Sequence, residues 1–270
     1  MGQTIACANQ KGGVGKTTTV VNLASYLALA GDRILVIDLD PQGNATSGLG
    51  VERDRGDGSR SVYDALIGGS PLSALGTATL VEGLTLIPSA IGLAGAEVEL
   101  ATAESRESRL AEALAGLEDP YDYVFIDCPP SLGLLTLNAL TAADGMLVPI
   151  QCEYYAMEGL TSLLGTSQLV REELNPRLSL KGAVLTMYDS RTNLSADVAR
   201  EVRRHLDDRV YDTVIPRSVR LSEAPSHGLP IHAYAPTSPG ARAYQALAAE
   251  VRARDGRSME RETVAAAVPA

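Results

Sequence analysis

The segment Lys11-Gly12-Gly13-Val14-Gly15-Lys16-Thr17-Thr18 places three glycines, two lysines and two threonines in eight consecutive residues. Glycines let successive backbone N–H groups turn inward on phosphate oxygens, and a helix starting directly afterwards adds the partial positive charge of its N-terminus. In such a loop Lys16 reaches the β and γ phosphates and the Thr17 hydroxyl is a Mg2+ ligand. The loop departs from the usual pattern at one place: Gln10 stands where the first glycine belongs, and a second lysine, Lys11, follows it. Two acidic segments complete the set. Asp38-Leu39-Asp40 offers two alternating carboxylates, both able to face bound phosphates, and Ile126-Asp127-Cys128-Pro129-Pro130 has the form of a Walker B segment, whose Asp holds Mg2+ through water. Together these residue types support Mg2+-dependent phosphoryl transfer from a nucleoside triphosphate.

Such groups must be carried on strand ends and helix starts. Thr4-Ile5-Ala6-Cys7-Ala8 is a short apolar run suited to a buried strand, the loop from Gln10 to Lys16 follows, and Thr17 to Ala30 is apolar at near-helical spacing. The stretch 33–38 is apolar and β-branched, as a strand covered on both faces should be. Comparable runs recur at 84–87, 123–126, 146–150, 183–186 and 214–215, and helical spacing marks 108–117, 134–142, 157–174, 196–206 and 241–254. This alternation predicts the α/β class: one doubly wound, mostly parallel twisted sheet with helices on both faces, P-loop NTPase-like, in a single domain over residues 1–254. Val51 to Arg60 is expected to be an exposed loop, and 255–270 a flexible tail.

At 270 residues, 45% apolar and 21% charged, the chain can bury a sizeable core and is too apolar for disorder. Its longest greasy stretch, Leu132 to Ile150, is broken by Asn138 and Asp144 and fails as the roughly 20 apolar residues of a bilayer span. The N-terminal residues match neither a secretory nor a myristoylation signal. Cys7, Cys128 and Cys152 form no metal-spaced pair and are expected as packing residues of a reducing compartment, while His205, His227 and His232 lack metal-ligand context. The net charge of −10 is uneven: residues 1–170 carry 8 basic and 20 acidic side chains, 171–220 carry 10 and 8, and 221–270 carry 5 and 5.

With Gln10 and Lys11 in place, the loop is a deviant Walker A motif, and the sequence resembles the ParA/MinD superfamily of dimerising ATPases. Within it, the runs Asp38 to Gly50 (DLDPQGNATSGLG), Asp127 to Asn138 (DCPPSLGLLTLN) and Arg217 to Gly228 (RSVRLSEAPSHG) are similar to the chromosomal ParA/Soj group, and the similarity extends from about Thr4 to Arg254. The resemblance implies that ATP and Mg2+ close a sandwich homodimer in which Lys11 crosses into the partner's nucleotide site. It implies that Asp40 positions or activates the attacking water, that Thr17, Asp40 and Asp127 surround the metal, and that Met187 and Pro216 border the adenine.

The group's ATP-bound dimer holds double-stranded DNA without sequence preference and is released when a ParB/Spo0J-type partner stimulates hydrolysis, in the cytoplasm on the nucleoid. Arg191 and Arg220 match DNA-contacting positions of the family, with Arg242 a third candidate; a few arginines on phosphates give salt-sensitive, non-specific binding. Two alternatives stand beside this reading: a MinD-like positioning ATPase for protein cargo that does not use DNA, and a metabolic P-loop kinase or ligase. The first is associated with a terminal amphipathic membrane helix, for which Ser258 to Ala270 is a weak candidate, so no membrane partner is expected. The second needs an acceptor-substrate pocket, for which no motif stands out.

Overall fold

Apolar β-branched runs pair most completely when both faces are covered, and here they assemble one sheet. In this computed structural model, which describes residues 2–52, 60–117, 121–154 and 156–257, the strands are β1 (Gln3–Cys7), β2 (Ile34–Asp38), β3 (Thr77–Ala78), β4 (Leu84–Ile87), β5 (Tyr123–Asp127), β6 (Gly145–Gln151), β7 (Ser179–Tyr188) and β8 (Val210–Pro216). They lie in the order β3-β4-β2-β5-β1-β6-β7-β8. Every neighbouring pair is parallel except β3 and β4 at the edge. The mostly parallel α/β sheet expected from the alternation of runs is the one observed.

Side-chain alternation along each central strand feeds two cores. Ala6, Leu35, Ile37, Val124 and Ile126 point to one face. Ile5, Cys7, Ile34, Val36, Tyr123 and Phe125 point to the other. The second face is covered by α1 (Lys16–Leu29), α2 (Asn44–Gly48), α9 (Val219–Glu223), α10 (Ile231–Tyr234) and α11 (Pro239–Arg254). The first is covered by α3 (Val62–Leu66), α4 (Leu93–Leu100), α5 (Arg109–Ala115), α6 (Leu134–Ala142), α7 (Ala156–Glu173) and α8 (Asn193–Leu206).

The longest helices and the parallel strands fall where periodicity placed them, to within a few residues, whereas α4, with only Leu93, Ala96 and Leu100 buried, is a helix that no periodic run predicted. Helices of one turn or little more, α2, α3, α9 and α10, are too short to show a period, and β3 has only two residues. One of them did carry a signal: Ser61 and Asp64 form a capping box at the start of α3.

The segment expected to fray from Asp255 onward is held for its first residues. The Asp255 carboxylate accepts from Tyr123 Oη at 2.8 Å and from Lys181 Nζ, and Arg257 donates to Asp122 at 2.8 Å and Asp32 at 3.2 Å. A short sequence with little apolar content gave no hint of these long-range charge partners. Residues 258–270, and 53–59 of the expected loop, lie outside the described residues.

Candidate functional site

Strand register brings the chemical groups together. Cys7 of β1 is aligned with Asp127 of β5, which is aligned with Asp38 of β2, so three strands end side by side at their carboxyl edge. Open α/β sheets bind ligands at that edge where the strand order reverses, as it does around β1. The loop leaving β1 turns through Gly13 (φ 75°) and Gly15 (φ 92°), left-handed conformations that a side chain would oppose. Its shape is held from outside. Thr186 Oγ1, near the end of β7, donates to the Val14 carbonyl at 2.8 Å; Asn9 Nδ2 donates to Pro149 O at 2.8 Å and its Oδ1 accepts the Lys11 N–H at 3.0 Å. Lys16, the first residue of α1, is buried, and its Nζ donates to the Lys11 carbonyl at 3.3 Å, inside the loop.

Asp127 is fully buried. Its Oδ2 accepts from Thr17 Oγ1 at 2.7 Å, and its Oδ1 has no partner. Burial, with Asp38 beside it, pushes its carboxyl well above the usual range. An orphaned buried oxygen next to a hydroxyl fits a divalent cation, whose charge would relieve that penalty. Among the described residues no group of three or more His, Cys, Asp or Glu is arranged to hold a metal. A cation here would therefore draw on hydroxyl, water and phosphate oxygens, as Mg2+ does.

The two carboxylates of Asp38-Leu39-Asp40 part company. Both were able to face phosphates on sequence grounds, but Asp38 turns into the protein: its Oδ2 accepts the Thr46 N–H and the Thr46 hydroxyl, each at 2.7 Å, and its Oδ1 accepts the Asp40 N–H at 3.2 Å. Burial pushes Asp38 up to about 6, against these hydrogen bonds. Thr46 Oγ1 also accepts the Ser89 N–H at 3.0 Å, and Ser89 Oγ donates to Asp40 O at 2.7 Å. Asp38 is thus the anchor of the Asp40 loop. Asp40 keeps its carboxylate at the strand edge, with Oδ1 accepting the Gln42 N–H at 2.9 Å.

Beside the loop lies a cavity of about 440 Å³ whose lining includes Met187 and Pro216 together with Thr18, Asn44, Arg217 and Tyr244. Met187 has φ 51°, a strained value for a residue with a side chain, where the pairing of β7 with β8 slips. Lys11 Nζ is 3.2 Å from Glu153 Oε2, and Arg217 reaches the other oxygen at 3.5 Å. Arg191, Arg220 and Arg242 are exposed. Arg191 grips Asp189 with Nε at 2.9 Å and Nη2 at 2.7 Å, Arg220 Nη1 donates to Glu223 Oε2 at 2.9 Å, and Arg242 Nη1 donates to the Thr237 carbonyl at 2.6 Å. The three cysteines are free and buried, and burial raises all three thiols, Cys152 to about 11. Glu153, Thr186, Thr46 and Ser89 were not singled out from the sequence, because single polar residues on apolar segments carry no motif.

A family model described as an AAA domain matches residues 2–180. The sporulation initiation inhibitor protein Soj of Bacillus subtilis is 57% identical over 253 residues, covering 94% of this chain and 99% of that one. The chromosome-partitioning ATPase Soj of Thermus thermophilus is 56% identical over 250 residues, 93% of this chain and 95% of that one. The chain belongs to the ParA/Soj family. Among solved structures, one described as cobyrinic acid a,c-diamide synthase from Mycobacterium smegmatis, with bound ADP and magnesium, superposes with a TM-score of 0.81 at 43% identity, covering 97% of this chain and all of that one. The ParA/Soj assignment and the P-loop fold inferred from the deviant Walker A segment therefore agree.

Proposed function

We propose that this chain is a Mg2+-dependent ATPase that partitions DNA. Its ATP-bound homodimer holds double-stranded DNA without sequence preference and lets go when a ParB/Spo0J-type partner stimulates hydrolysis, in the cytoplasm and on the nucleoid. The observation that carries the reading is a complete phosphate loop set against Asp127, whose Oδ1 is buried and unpartnered beside the Thr17 hydroxyl. In this reading the backbone from Gly12 to Thr18 and the Lys16 ammonium receive the phosphates, and Met187 and Pro216 border the adenine. Thr17 and Asp127, with Asp40 nearby, hold Mg2+, which when bound neutralises phosphate charge. Asp40 orients the attacking water and takes its proton; a positioned base of this kind contributes roughly 10²- to 10⁴-fold.

Lys11 acts in the second subunit's site, where a cation delivered in trans stabilises the transferring phosphoryl group as an arginine finger does. Its pair with Glu153 leaves both side chains about two-fifths exposed, so releasing it costs less than about 1 kcal/mol. Turnover then requires two subunits. Arg191, Arg220 and Arg242 meet phosphates of the duplex. Among the described residues no helix is long and apolar enough to cross a membrane, and the reading needs none.

Paired Arg191→Glu and Arg220→Glu substitutions test this: DNA binding with ATP is lost while ATP-driven dimerisation persists. Unchanged DNA retention would sink the proposal. The name of the mycobacterial structure favours a second reading, a metabolic synthase. Turnover that depends on cobyrinic acid would support it; turnover indifferent to cobyrinic acid leaves the DNA reading standing.

A further inference from the structure

Two of the three candidate DNA arginines are already occupied, and their partners are anchored more firmly than they are. Arg191 is 83% exposed, whereas the Asp189 side chain that it grips is only 19% exposed. Asp189 Oδ1 also accepts the backbone N–H of Arg191 at 3.0 Å, a bond that survives when the guanidinium swings away. Glu223 is held in the same way: its Oε2 accepts from Arg220 at 2.9 Å and from Tyr234 Oη at 3.0 Å, and the Tyr234 ring stacks on His227 at 4.8 Å. The arginines are the more exposed halves of these pairs. A phosphate recruiting either one must replace a carboxylate that stays within reach, which leaves two anions facing each other. Arg242 differs, since its partner is a neutral carbonyl.

We infer that Asp189 and Glu223 are built-in competitors for DNA phosphate, and that their charges set how tightly and at what salt the ATP-bound dimer holds DNA. The inference rests on the reading of Arg191 and Arg220 as DNA contacts and adds the groups that regulate them. Both carboxyls are held below their usual range, Asp189 by Arg191 and Glu223 by Tyr234 and Arg220, so both are charged at neutral pH. A competing anion makes sense for a protein that must release its duplex when hydrolysis occurs.

The test uses Asp189→Asn and Glu223→Gln, singly and combined, with Arg191→Glu/Arg220→Glu and Asp197→Asn as references. Asn and Gln keep an oxygen for the Arg191 N–H and the Tyr234 hydroxyl. Asp197 pairs with Arg200 on α8, so its variant adds the same net charge elsewhere. Affinity for random-sequence duplex DNA is measured with Mg-ATP at two salt concentrations, and dimerisation is followed in the same samples. Each neutralisation is expected to tighten binding about two- to fivefold at low salt, the effects multiplying in the combined variant and shrinking as salt rises. Asp197→Asn stays within about twofold of the parent. If the combined variant binds no tighter, or no tighter than Asp197→Asn, while the Arg191→Glu/Arg220→Glu protein loses DNA, the inference is overturned and the DNA reading survives. If the arginine variant keeps its DNA, both fall.

Discussion

Replacing Thr46 by valine removes one buried hydroxyl from beneath Asp40 and changes little else in shape. That hydroxyl donates to Asp38 Oδ2 at 2.7 Å and accepts the Ser89 N–H at 3.0 Å. A hydrogen bond to a charged group contributes about 1.5–3 kcal/mol, and an orphaned buried N–H costs about 1–3 kcal/mol, so the variant should lose about 2.5–6 kcal/mol of folding stability. For a chain of this size that is a drop in melting temperature of about 5–25 °C. Catalysis should suffer separately. Asp40 is tied to this network at both backbone ends, through its N–H to Asp38 and its carbonyl to Ser89. Loosening it by about 1 Å would lower kcat by about 10²-fold. Thr46 does not line the cavity beside the loop, so KM for ATP should stay within about threefold. Urea unfolding and steady-state ATPase assays read the two effects. Thr46→Ser keeps both bonds and should resemble the parent. A valine variant with unchanged kcat, or a serine variant as damaged as the valine one, would refute the argument that Asp38 positions Asp40.

Three further outcomes follow from the same geometry. Lys16→Ala removes the buried ammonium that donates to the Lys11 carbonyl inside the phosphate loop, and calorimetric titration with Mg-ATP should show affinity weakened by at least about 10²-fold; a change below threefold would contradict the role assigned to it. Arg252→Met strips the buried Asp32 carboxylate of a partner at 2.5 Å but leaves Arg257 at 3.2 Å, so it should cost about 2–3 kcal/mol, less than a wholly uncompensated buried charge, and be largely recovered when Asp32→Asn is added; a single variant within 1 kcal/mol of the parent would show the pair to be dispensable. His232, packed edge-on to Tyr26, is pushed below its ordinary value by burial. The unfolded chain therefore binds more protons just below pH 6.5, and stability contributed by neutral His232 is present above that pH and lost as pH falls through the window. His232→Phe should flatten the pH dependence of the unfolding midpoint between pH 5.5 and 7; an unchanged slope would place the titration elsewhere.

What could be read in the sequence was set by how local the cause was. The phosphate loop, its strand and its helix lie within thirty residues, and the parallel strands announce themselves as unbroken apolar runs because both faces are covered. The divergence of Asp38 from Asp40 was not legible, because the Thr46 hydroxyl and N–H that turn Asp38 inward come from α2, and Ser89, which braces Thr46 and the Asp40 carbonyl, lies beyond β4. Glu153 as the resting partner of Lys11 lies 142 residues away, and the carboxylates holding Arg191 and Arg220 look like ordinary surface charges until side-chain directions are known. Met187 and Pro216 came from family resemblance alone, since an apolar base cavity needs only shape.

In the proposed cycle ATP gates DNA binding, and this is read from the affinity of the purified protein for random-sequence duplex DNA with no nucleotide, with ADP, with ATP, and with ATP in the Asp40→Ala variant, at two salt concentrations. Binding is expected only with ATP, with the complex persisting when Asp40 is removed and weakening as salt rises. DNA ignored in every nucleotide state, while ATP still drives dimerisation, would contradict the cycle and leave a positioning ATPase that does not use DNA.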